Sequence, residues 1–243
     1  MPVARGFDIL RQASAAPLNG RPSPARMRLR AEALALVRTD ALVDAAYSYR
    51  IVPLDAPAAP MLQLGGELLE APWLLPTSGR LTALACGVCT LGPALERRVS
   101  ELFAQRRVSL AMALDELGNE LLFVISRRAQ DRMQADAARR SLSVAGELRA
   151  GDPGLALDAQ GAVLRLAWAE TVGVRVHQGS LMHPLKSTSM VLGVGENLPT
   201  TTWSRCDSCQ SGAKCGVRAR ARAVAAKAAV STTGALRALA DAA

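Results

Sequence analysis

The stretch Leu-Thr-Ala-Leu-Ala-Cys-Gly-Val-Cys-Thr-Leu at residues 81–91 is the longest apolar run in the chain, and Gly92-Pro93 closes it at once. Thr82, Gly87 and Thr90 interrupt it, and it falls far short of the roughly 18 consecutive apolar residues that cross a bilayer. It therefore reads as a buried strand over 81–89, and Gly92-Pro93 opens an amphipathic helix that runs through Gln105. A buried strand must sit in a covered sheet. With 243 residues, half of them hydrophobic, the chain has material for one large domain or two small ones.

Other segments extend this pattern. Residues 24–38 place Met27, Ala31, Leu34 and Val37 on one helical stripe, with Ser23 as N-cap and Pro24 in the first turn. Residues 47–52 alternate as a half-buried strand, and short apolar pieces follow at 61–64, 67–69 and 73–75, which read as a meander. Residues 108–137 form a long helical stretch with Gly118 in its middle, the mark of a close approach by a neighbouring backbone. A strand-like piece and a Gly-Asp-Pro-Gly turn occupy 141–154, residues 157–170 read as helix, and 174–177, 181–183 and 189–194 read as short strands. An Ala-rich helix at 217–240 ends the chain. Strands and helices mix without strict alternation, which favours an α+β domain with a largely antiparallel sheet over a doubly wound one.

Composition removes several functions. The net charge is +8, yet only 3% of residues are aromatic, and those few are scattered, unlike the interleaved basic and stacking residues of nucleic-acid readers. Arg218, Arg220 and Arg222 read as a solvated helix face. The first fifteen residues carry Arg5, Asp8 and Arg11 and no apolar core of a secretion signal, so a cytoplasmic protein is expected, with neither membrane nor nucleic acid as partner. No dinucleotide or phosphate-loop glycine motif, no Gly-x-Ser-x-Gly and no His-Glu-x-x-His is present.

Five cysteines in a reducing compartment point to metal, redox or core roles rather than disulfides. Cys206, Cys209 and Cys215 lie within ten residues on a polar loop, a soft-ligand set suited to zinc or an iron-sulfur cluster, or else a reduced solvent-facing loop. A fourth ligand could come from Cys86 or Cys89, but a spacing of three on a strand puts those two on opposite faces, as plain core residues would be. His183 before Pro184 reads as a hydrogen-bonded structural histidine. Glu116 and Glu120 share a helix face that is solvated in the simplest reading. Arg149 precedes a turn containing Gly151, Asp152 and Gly154, where the backbone can approach a ligand and the guanidinium offers a planar fork to a carboxylate or phosphate. Ser187 and Ser189 flank Thr188 and share a strand face, where they decorate an edge or bind one polar ligand.

Taken in order, Leu148-Arg-Ala-Gly-Asp-Pro-Gly-Leu-Ala-Leu-Asp-Ala-Gln160, Glu170-Thr-Val-Gly-Val174, Leu181-Met-His-Pro-Leu-Lys-Ser-Thr-Ser-Met-Val-Leu-Gly193 and Cys206-x-x-Cys209 to Cys215-x-x-Arg218 resemble the activation (reactivation) domain of cobalamin-dependent methionine synthase, in its free-standing form. Cys89-Thr-Leu-Gly-Pro-Ala-Leu-Glu96 and Ala113-Leu-Asp-Glu-Leu-Gly118 fit the same pattern, so the resemblance covers roughly residues 60–218. It implies one α+β domain with a bent antiparallel sheet. It also implies a subunit that binds S-adenosylmethionine and docks on a corrinoid protein or methionine synthase core, whose cobalamin it helps to remethylate after reduction. A flavodoxin or ferredoxin would be the electron donor. The family's Arg-x-x-x-Gly-Tyr is replaced here by Arg149-Ala-Gly-Asp-Pro-Gly154-Leu155, without the Tyr. The cofactor-binding candidates are Arg149, Gly151, Asp152, Gly154, His183, Pro184, Ser187, Ser189 and Glu120. The expected division is a helical N-terminal segment over 1–45, the activation-like domain over 46–216 and the terminal helix over 217–243. The alternative is an accessory protein of a corrinoid system that carries zinc or an iron-sulfur cluster and delivers electrons without binding S-adenosylmethionine.

Overall fold

The computed structural model describes residues 3–5, 9–10, 23–177 and 179–199. Its centre is a five-stranded sheet in which every pairing is antiparallel, in the order β1-β2-β5-β9-β6. The strands are β1 (Val3–Arg5), β2 (Ala46–Pro53), β5 (Arg80–Thr90), β6 (Ser143–Leu148) and β9 (Ser187–Glu196). Two small hairpins, β3 (Met61–Leu64) with β4 (Glu67–Glu70) and β7 (Arg175–His177) with β8 (Leu181–His183), stand apart from it. The expected α+β architecture is what forms.

The apolar run of β5 is explained by cover on both faces. Ala83, Ala85 and Cys89 join Met190, Leu192 and Val194 under three helices, α1 (Pro24–Thr39), α2 (Ala94–Ala104) and α3 (Val108–Ala138). Leu84, Cys86 and Val88 join Val191 on the opposite face, against α4 (Gln160–Leu166) and the β3–β4 hairpin. A strand buried on both sides has no polar face, so period-two alternation disappears. Register shifts interrupt the β5–β9 pairing at Leu81/Ala83 and the β6–β9 pairing at Ala145/Leu148, the second around Gly146 at φ +70°.

The local signals at helix ends hold. Ser23 caps α1 by accepting the Arg26 N–H at 3.2 Å, with Pro24 in the first turn, a cap worth about 1 kcal/mol. The stripe is rotated from the expected one: Ala33 and Val37 are buried, while Met27 is 49% exposed. Gly118 in α3 is approached by side chains, not backbone, since a Cβ there would lie 3.0 Å from Leu95 Cδ2 and 3.3 Å from Lys186 Cε.

Two segments differ from expectation. Residues 72–74 form a turn of 3-10 helix where the pattern read as strand, because Pro72 fixes φ at its start and the Leu75 N–H closes back on the Pro72 carbonyl. The helix expected over 157–170 is three short pieces: 3-10 turns at Leu157–Ala159 and Ala169–Val172 bracket α4, and Trp168, in the left-handed region at φ +54°, breaks the run. Among the described residues no helix is long and apolar enough to cross a membrane.

Candidate functional site

The end of β6 carries the most distinctive local geometry. After Leu148 the chain turns through Gly151 and Gly154, at φ +93° and +85°, a region that L side chains rarely enter. The Asp152 N–H donates to the Arg149 carbonyl at 2.9 Å, the Leu155 N–H to the Asp152 carbonyl at 3.0 Å, and the Gly151 N–H to the Leu155 carbonyl at 2.9 Å. The Asp152 carboxylate accepts the Arg149 N–H at 2.9 Å, so this residue braces the turn it belongs to.

The Arg149 guanidinium is held on the helical face of the sheet. Nη1 donates to Thr188 Oγ1 at 2.8 Å and Nη2 to Ser126 Oγ of α3 at 3.2 Å. Nη2 and Nε lie 3.2 and 3.4 Å from the same Glu147 carboxylate oxygen. With its side chain 22% exposed, Arg149 is a cation of fixed orientation beside a fixed anion. No local pattern in the sequence marks these three partners, Thr188, Ser126 and Glu147; the hydroxyl between Ser187 and Ser189 is the one on Arg149.

Ser187 and Ser189 face the other way. Ser187 Oγ donates to Thr90 Oγ1 at 2.9 Å, and Thr90 Oγ1 also accepts the Gly92 N–H at 3.1 Å. Ser189 Oγ donates to Gln160 Oε1 at 3.3 Å, while the Gln160 Nε2, on a side chain 3% exposed, has no partner among the described residues. The two serines thus share a face, as the spacing required, but the sheet stands between them and the Arg149 guanidinium.

The remaining candidates lie around α2 and α3. His183, joined to Pro184 by a cis peptide, has Nδ1 3.5 Å from Glu96 Oε1, and the other oxygen of Glu96 accepts the Leu185 N–H at 2.5 Å. Lys186 Nζ lies 2.7 Å from Asp115 Oδ1 and donates to Asn119 Oδ1 at 2.7 Å. Glu120 is not on a solvated face: it takes a two-point bond from Arg30 of α1, at 3.0 and 2.6 Å. Concavities of about 660, 780 and 460 Å³ open beside Trp168, Asp55 and Lys186 respectively, and the turn after Arg149 lines none of them. Gly151 and Pro153 of the turn are exposed, and the turn forms a ledge at this end of the sheet.

The metal-ligand candidates divide. Cys86 and Cys89 are fully buried on opposite faces of β5, and burial pushes both thiols up to about 12. Among the described residues no group of three or more His, Cys, Asp or Glu side chains is placed to hold a metal. Cys206, Cys209 and Cys215 lie outside the described residues.

The described residues thus form an α+β fold with an antiparallel sheet covered on both faces and a glycine ledge at one sheet end. No family model and no curated protein matches the chain. Among solved structures the chain is similar to the crystal structure of the MetH reactivation domain bound to AdoHcy, with a TM-score of 0.61 and 10% sequence identity. The likeness covers 84% of this chain and 81% of that one. At this identity the likeness is one of fold, and it agrees with the fold that the resemblance in the sequence implies.

Proposed function

We propose that this chain is a reactivation subunit for a corrinoid methyltransferase, most simply a split methionine synthase. It would bind S-adenosylmethionine at the ledge after β6 and dock on a cobalamin-carrying protein. The observation that supports this reading is a fold shared over 84% of the chain with a domain crystallised with AdoHcy. The residues at the ledge suit such a ligand chemically. The amino-acid end of S-adenosylmethionine carries a carboxylate and an ammonium, and Arg149 and Glu147 present the complementary charges 3.2 Å apart. Thr188 and Ser126 hold the guanidinium in place before any ligand arrives, so little is lost in ordering it.

The cobalamin in this reading belongs to the partner, where it supplies the metal that accepts the methyl group. The chain's own residues hold the sulfonium donor and present it. A net charge of +8 would raise the encounter rate with an acidic corrinoid protein more than it raises affinity. A flavodoxin or ferredoxin would supply the electron for the preceding reduction.

Isothermal titration of the full chain with S-adenosylmethionine and S-adenosylhomocysteine, with and without a cobalamin-binding protein, tests the proposal. Saturable one-to-one binding is expected, weakened at least tenfold in Arg149→Gln, which keeps a polar side chain but removes the charge. Absence of saturable binding under both conditions overturns it.

A further inference from the structure

The hollow of about 660 Å³ beside Trp168 shares no residue with the turn after β6. Its apolar wall is Leu164 of α4, Trp168, and Val174 and Val176 around the start of β7, and its volume is that of a small-molecule site. The helix leaves it open: a Cβ at Gly161 would meet only Arg165 Nη1, at 3.3 Å. Trp168 follows α4 in the left-handed region, at φ +54° and ψ +47°, a place that helix ends commonly give to glycine. Local bonds hold it there. Its N–H donates to the Arg165 carbonyl at 3.1 Å, and its own carbonyl accepts the Thr171 N–H at 3.0 Å and the Thr171 hydroxyl at 2.6 Å. The Arg50 guanidinium lies over the ring, 4.1 Å from its centroid, and Arg50 does not line the hollow. A cation thus fixes the indole from outside the hollow, while another part of the ring forms its wall.

A strained backbone kept on a large aromatic residue, with a cavity against it, is the pattern of a binding site. The charges around it set the ligand. Arg165 is engaged by Glu67, its Nε and Nη2 on the two carboxylate oxygens at 2.6 and 2.8 Å. Arg175 lines the hollow, is exposed and enters no ion pair among the described residues. Glu170 also lines it and is the acidic residue set against Arg175 and Arg50. The balance is cationic around an apolar wall. We infer that this hollow binds a small organic anion with a flat apolar body, which lies against Trp168, Leu164 and Val174 while Arg175 takes the anionic group. The inference stands apart from the S-adenosylmethionine reading and does not depend on it.

Two dyes of the same shape test it on the full chain: 1-anilinonaphthalene-8-sulfonate, flat, apolar and singly anionic, and N-phenyl-1-naphthylamine, the same body without the sulfonate. The anionic dye is expected to bind one-to-one with saturable, enhanced emission and to raise the melting temperature, since it binds the folded chain. Arg175→Gln should weaken the anionic dye about tenfold and leave the neutral one within about threefold. Gly161→Leu, which fills the hollow from a helix position that favours leucine over glycine, should weaken both dyes about tenfold or more. Circular dichroism and thermal melting confirm that each variant folds; where one does not, the other decides. Excess S-adenosylhomocysteine should leave the affinity for the anionic dye unchanged. No saturable binding of the anionic dye, equal binding to folded Arg175→Gln and Gly161→Leu, or displacement of the dye by S-adenosylhomocysteine overturns the inference.

Discussion

Cys86 and Cys89 show how much a single spacing settles. A separation of three on a strand turns the second side chain away from the first, and the structure places Cys86 in one core and Cys89 in the other. Burial lifts both thiols from an ordinary 9.0 to about 12. At pH 8 that lowers the reactive thiolate fraction about a thousandfold. Pulse alkylation with iodoacetamide followed by peptide mass mapping should leave both unmodified in the folded chain and label both after denaturation; labelling of either at the rate of a free thiol would contradict their placement. Trp73 is the opposite case. A Cβ at Gly154 would stand 2.6 Å from Trp73 Cγ, yet the two residues lie 81 positions apart and no local pattern pairs them. Arg149 and its glycines were legible because turn chemistry is local, whereas Thr188, Ser126 and Glu147 become its partners only through strand register and helix packing.

At the scale of elements, periodicity located most strands and helices to within a few residues, and the misses have physical causes. The stripe of α1 was rotated because Met27 and Ala31 look apolar in sequence, whereas the facing helix α3 offers carboxylates there: Arg26 pairs with Glu116 at 2.5 Å and Arg30 with Glu120 at 2.6 Å. These two pairs, each four residues apart on both helices, form a ladder that sets the register of α1 on α3. A further contact of α3 is steric. A Cβ at Gly87, in the central strand, would come 2.1 Å from Met133 Cε. Gly87→Ala should therefore push the Met133 methyl aside and cost about 1 kcal/mol, the low end for overpacking because the displaced atom ends a flexible side chain. Met133→Ala clears that space at the cost of a cavity of its own, about 2–5 kcal/mol. If the two side chains meet as described, the double variant is more stable than the summed losses predict, by at least about 0.5 kcal/mol in urea unfolding. Strict additivity would mean that α3 does not cross the sheet at Gly87.

For the molecule as a whole, the buried thiols and phenols make alkaline pH the condition that tests the packing on both faces of the sheet at once. Cys86 and Cys89 sit on opposite faces, and burial also raises Tyr47 and Tyr49 of β2, with Tyr49 donating its hydroxyl to Asp136 of α3. Each of these groups is neutral when protonated and has a higher pKa folded than unfolded. Its contribution is fully present below the unfolded value and is lost as pH rises toward the folded one. For the two thiols that window runs from 9.0 to about 12. At pH 11, two units into it, the pair alone withdraws about 5 kcal/mol, a large part of the total stability of an ordinary domain. Urea midpoints measured between pH 7 and 11 should hold steady up to about pH 9 and then fall steeply. The comparison that isolates the thiols is Cys86→Ala/Cys89→Ala. This variant starts lower, since each substitution leaves a small cavity, yet its stability should decline with a shallower slope above pH 9, because of the four raised groups the two tyrosines alone remain. Equal slopes in the two chains would show that the thiols are hydrated in the native state, and that neither core is closed around β5.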